Sequence, residues 1–207
     1  PFFATGPAAP PPLDAVTRAV LAAGGAGPFR VATEEYPEAV NARLAADVAW
    51  VDGYHPLPLA AAAALRAGGA RGLALRQRSG LSDAEALDLL NVRYAVFVDP
   101  SLRIVRRPST RPRAWLAAPD LTPRPGRVTV VSGRDTLRAG VSAAEPGRLV
   151  LSEIWHPAWK AWLDARRARV HRVHGALRAV DVPAGTSMVR MVFDPWTLKL
   201  GLWITAV

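Results

Sequence analysis

The chain has 207 residues, of which half are apolar and 21% are charged, so it can bury enough surface to fold and is not a disordered tail. It contains no cysteine, which excludes disulfide frameworks, thiolate zinc sites and cysteine nucleophiles together. The formal net charge of +9 is uneven, with 8 basic and 10 acidic residues in 1–100 but 18 and 7 in 101–207; no nucleic-acid-binding module accompanies it, and no nucleic-acid partner is expected.

The chain opens Pro1-Phe2-Phe3 without a secretory signal pattern, which reads as a piece of a longer protein. After the prolines at 7, 10, 11 and 12, apolar residues at 13, 16, 20 and 21 followed by Gly24-Gly25 predict a helix over 13–23. Residues 29–33 alternate as a strand, and the apolar run 48–51, closed by Asp52-Gly53, is a second. Helices are expected at 38–46 and 57–67. Ser82-Asp83-Ala84-Glu85 is a capping box, in which the Ser oxygen and the Glu carboxylate satisfy free amides at the start of a helix running to about Leu90. Residues 94–98 then read as a buried strand ended by Asp99-Pro100. This alternation predicts a small α/β domain over 1–107, with Val31, Trp50, Leu89, Leu90, Val96 and Val98 in its core.

Five prolines and several arginines crowd the next segment, which predicts an extended, positively charged connector over 108–127 with Trp115-Leu116 pinned to a domain surface. Short strands follow at 128–131, 136–141, 148–155, 159–163, 169–173, 177–182 and 187–193, separated by Ser132-Gly133, Pro146-Gly147, Gly175 and Pro183-Ala184-Gly185. That is the pattern of an antiparallel β-sandwich over 128–197, jelly-roll-like or immunoglobulin-like, and the fold class expected for the whole chain is α+β. No run reaches the ~18–20 apolar residues that span a bilayer. The last stretch, 198–207, places Lys199 and Trp203 in an apolar run, which fits either the interfacial start of a membrane helix or a final core strand.

Residues with chemistry are sparse. His171 and His174 are an odd number apart, which on a strand puts them on opposite faces, so no shared metal is expected. His55 and His156 each precede a proline and belong to turns. Asp83 and Glu85 are accounted for by the capping box, and Glu34-Glu35 point to opposite faces of a strand end. Neither glycine run matches a phosphate or dinucleotide loop, and there is no G-x-S-x-G elbow. No catalytic residue, metal or cofactor is assigned. The candidate saccharide-binding residues are Trp155, His156, Trp159 and Lys160, because indoles flanking a His-Pro-Ala turn can stack on sugar faces or fill a core. Arg111 and Arg113 of the connector are candidates for phosphate-bearing ligands, since guanidinium groups bind phosphate bidentately.

Residues 149–164 (Leu-Val-Leu-Ser-Glu-Ile-Trp-His-Pro-Ala-Trp-Lys-Ala-Trp-Leu-Asp), then Gly175-Ala176-Leu177-Arg178-Ala179-Val180 and Val182-Pro183-Ala184-Gly185, with Phe193-Asp194-Pro195 and Leu200-Gly201 beyond, resemble the C-terminal extracytoplasmic region of YfhO-like bacterial membrane proteins. The segments 51–57 and 87–94 fit the same family, so the likeness touches most of the chain from Phe29 onward. Ala158 and Ala165 stand where that family has glycine. The resemblance implies a multi-spanning protein of the cell membrane similar to GT-C glycosyltransferases, which use polyprenyl-phosphate-linked sugars to glycosylate cell-surface polymers. It implies that 198–207 begins a C-terminal transmembrane helix, and that this chain lies on the extracytoplasmic face against its own transmembrane domain. The catalytic acid of such enzymes is expected in early loops outside this sequence, which leaves an accessory role in substrate positioning or structure. A non-enzymatic carbohydrate-binding or assembly module of a surface protein is the alternative.

Overall fold

The computed structural model describes residues 15–24, 29–33, 48–50, 83–97, 101–133 and 135–196. The helices expected at 38–46 and 57–67, the core position Val98, the side chain of Trp50 and the segment 198–207 lie outside the described residues. The chain divides into two compact units, Pro1–Leu57 with Asn91–Thr110, and Pro58–Leu90 with Arg111–Val207.

In the first unit, α1 (Ala15–Ala22) presents Val16, Val20 and Leu21 to a four-stranded sheet. Its strands are β1 (Arg30–Thr33), β2 (Ala49–Trp50), β3 (Val92–Phe97) and β4 (Arg103–Arg106), in the order β2-β1-β3-β4. β1 runs parallel to β2 and β3, and β4 returns antiparallel to β3. Val20, Val31, Val48 and Val96 form the core, since β-branched side chains pack well on a pleated surface. Thr110 closes the unit by donating its hydroxyl to the Val92 carbonyl at 2.8 Å.

The second unit holds α2 (Asp83–Leu89) and ten strands: β5 (Ala114–Ala117), β6 (Pro123–Arg124), β7 (Gly126–Ser132), β8 (Thr136–Ala143), β9 (Gly147–Ile154), β10 (Trp159–Leu163), β11 (Arg166–Ala168), β12 (His171–Val173), β13 (Leu177–Val182) and β14 (Gly185–Phe193). They form two five-stranded sheets, β11-β10-β14-β8-β7 and β12-β13-β9-β5-β6, antiparallel throughout. The chain is α+β with a β-sandwich, as the strand pattern predicts. Inward residues alternate along each strand: Leu137, Ala139, Val141 and Ala143 of β8 meet Leu149 and Leu151 of β9, Val180 and Val182 of β13, and Val189 and Met191 of β14.

Two expectations change. The segment 108–127 is no free connector, because β5 pairs with β9 (Trp115 opposite Val150) and with β6, and Trp115, Leu116 and Ala117 are buried. Its prolines flank β5 rather than interrupt it, so the ladder keeps its donors. Leu89 and Leu90 group with the sandwich rather than with Val31 and Val96. Buried Ser152 on β9 donates its hydroxyl to the Leu89 carbonyl at 2.7 Å, and the Arg111 amide donates to the Asp88 carbonyl at 3.2 Å, which tethers α2 to the outer face of the β9 sheet.

Candidate ligand-binding site

The connection between β9 and β10 is a tight turn at one end of the sandwich. The Trp159 amide donates to the His156 carbonyl at 3.1 Å, and the Ala158 amide donates to His156 Nδ1 at 3.1 Å, so the imidazole braces the turn from inside. Two further bonds fix the turn to its neighbours: the Trp155 amide to the Ala176 carbonyl, and the Asp194 amide to the Ala158 carbonyl. Phe193 at the end of β14 packs on both rings, 5.3 Å from His156 and 5.1 Å from Trp159 between centroids. Lys160 is ion-paired with Asp194.

Behind Trp159 lies a buried cation. Arg178, 4% exposed, places its guanidinium 3.7 Å from the Trp159 ring centroid and 3.7 Å from Glu153. The other oxygen of Glu153 takes Arg113. A guanidinium removed from water needs such carboxylate and π partners, and together they hold the indole in place.

Trp155, His156, Trp159 and Lys160 thus line one cleft of about 350 Å³, together with Pro157, Arg167, Arg169 and Val170. Arg172 lies 5.8 Å from the Trp155 centroid. Among the described residues no carboxylate lines the cleft itself, and Asp194 stands beside it as the partner of Lys160. Half-buried indoles offer flat apolar surface to a sugar ring, and Lys and Arg donors suit hydroxyl or anionic oxygens. Arg113 reaches the cleft only through Glu153 and Arg178. Arg111 is elsewhere, over the Trp115 ring at 6.0 Å.

Of the remaining histidines, His55 lies outside the described residues and His171 has a structural partner. His171 Nε2 is 2.7 Å from Asp181 Oδ2, and Asp181 also pairs with Arg148 at 3.0 Å. His174 occupies a hairpin turn with Gly175, both at positive φ (46° and 73°). Burial, and then the charge of Arg111, lower its pKa from the ordinary value. Among the described residues no three of His, Asp and Glu converge as a metal set.

Sequence reading did not single out Arg167, Arg169, Arg178 or Phe193. The run Arg166-Arg167-Ala168-Arg169 carries a signal for two of them, since strand alternation puts 167 and 169 on one side. Arg178 and Phe193 gain meaning only from strands that are distant in sequence. Comparison with models of known protein families, with curated proteins and with solved structures gives no match. Among the described residues no helix is long and apolar enough to cross a membrane.

Proposed function

We propose that the chain is the extracytoplasmic ligand-binding domain of a multi-spanning membrane protein similar to GT-C glycosyltransferases, positioning a saccharide rather than transforming it. The observation that carries this reading is the braced cleft of Trp155, His156, Trp159 and Lys160, an indole surface beside Arg167, Arg169 and a lysine held by Asp194. The YfhO-like sequence pattern over 149–185 supports the membrane parent, and the bracing of the turn by Phe193, Arg178 and Glu153 supports a preformed site. Catalysis then belongs to parts of the parent outside this sequence.

Intrinsic tryptophan fluorescence tests the reading. A titration of the chain with oligosaccharides is expected to quench or shift the emission, and Trp155→Ala with Lys160→Gln to remove the response while the far-ultraviolet spectrum stays unchanged. A wild-type protein that responds to no saccharide at millimolar concentration overturns it.

A further inference from the structure

The two outer faces of the sandwich differ. On the β9 sheet Trp115, Val150, Ser152 and Ala179 are buried, with α2 tethered there through Ser152. On the β14 sheet the outward positions are largely exposed, and one cross-strand row is strongly basic. The register places Arg167 of β11 opposite Trp162 of β10, Trp162 opposite Arg190 of β14, and Arg190 opposite Arg138 of β8. Arg167 and Arg190 both stack on the Trp162 indole, at 4.8 and 5.6 Å from its centroid. Among the described residues, none of Arg138, Arg167 and Arg190 is paired with a carboxylate. Asp164, which lines the same region, accepts the Met188 amide at Oδ1 at 2.7 Å. Arg138, Trp162, Asp164, Ala165, Met188 and Arg190 enclose a hollow of about 500 Å³.

We infer that this row is a second station of the saccharide site and that it takes the anionic groups of an acidic glycan. The inference rests on the saccharide reading above and deepens it: Arg167 lines the cleft and also stacks on Trp162, so one chain can run from the cleft along the row. Three guanidinium groups without a carboxylate partner favour carboxylate or phosphate oxygens, which they hold in bidentate fashion. Strand spacing sets neighbouring positions about 4.8 Å apart, a ladder suited to charges that recur along a polymer. The row favours a glycan over single-stranded nucleic acid because arginines already stack on the Trp162 indole, whereas base stacking needs a free aromatic face. It favours a glycan over a bilayer because Arg138 and Arg190 line a hollow, which a chain can enter and a lipid surface cannot.

The test is calorimetric titration of the 207-residue chain with oligogalacturonate and with a neutral dextran oligosaccharide of equal length. Tighter binding of the acidic glycan, weakening with salt, is expected. Arg138→Gln with Arg190→Gln should reduce that binding by about tenfold per arginine and leave the neutral sugar unaffected. Both side chains are exposed, so the double variant should fold, which circular dichroism checks. Equal binding of the two glycans, or an acidic-glycan affinity untouched by the double variant, overturns this inference while the cleft reading stands. A wild-type chain that binds neither glycan fails the cleft reading itself. Tighter binding of an oligothymidylate or of phosphatidylglycerol vesicles than of oligogalacturonate overturns the inference by giving the row to another partner.

Discussion

Asp164 and Ala165 form the two-residue turn between β10 and β11, with φ of 46° and 72°. An L-residue with a Cβ pays a steric penalty there that glycine avoids, and Asp tolerates the region better than Ala does. Ala165→Gly is therefore expected to raise stability by about 1 kcal/mol, read as a shift of the urea midpoint at constant slope. His174 gives a pH dependence of definite sign. Its folded pKa is held below the unfolded value near 6.5, first by burial and then by Arg111. As pH falls through 6.5 the unfolded chain takes up the proton first, so stability drops below that pH and the loss levels off once the folded form protonates too. His174→Asn, which keeps a residue tolerant of positive φ, should flatten the dependence of the urea midpoint between pH 7.5 and 5. An unchanged slope in that variant would assign the effect to another group.

At the scale of elements, the corners between sheets constrain the sequence most. β6 and β7 are separated by Pro125 alone, and the chain crosses from one sheet to the other there, with Gly126 at φ 155°. A Cβ at Gly126 would run into the Leu116 side chain and lie 2.8 Å from the Ser142 carbonyl oxygen. Gly126→Ala is expected to destabilise the sandwich by about 2 kcal/mol or more, since backbone strain and a core clash add, and thermal unfolding would register it. Strands bounded on both sides by turn residues were legible from sequence. Residues 159–163 and 177–182 have the predicted limits, because turn residues bound both segments. β5 was not legible, because Ala-Trp-Leu-Ala is buried on both faces and so does not alternate, and the flanking prolines suggested a linker. The cleft was legible in its aromatic residues and in Lys160, which are contiguous. Its buried support, Arg178, was not, because a guanidinium is normally taken for a surface group.

At the scale of the whole molecule, the second unit is discontinuous: α2 precedes strands of the first unit in sequence yet belongs with the sandwich. A chain starting at residue 111 lacks α2, and with it the carbonyls of Leu89 and Asp88 that accept from the Ser152 hydroxyl and the Arg111 amide, which leaves the buried Ser152 hydroxyl without that acceptor. It is expected to be less stable than the intact chain by about 1–3 kcal/mol, read by circular dichroism as unfolding at a lower urea concentration. Sequence by itself determined the α+β class, the strand-rich second half, the absence of cysteine chemistry and the gathering of Trp155, His156, Trp159 and Lys160, because periodicity, turn residues and local spacing are short-range properties of the chain. Tertiary structure alone decided that 108–127 enters a sheet, that α2 joins the sandwich, and that Arg138, Arg167 and Arg190 align around Trp162. Each of these depends on which strands become neighbours, and pairing between segments far apart in sequence is set by the packing of the assembled core rather than by any local pattern.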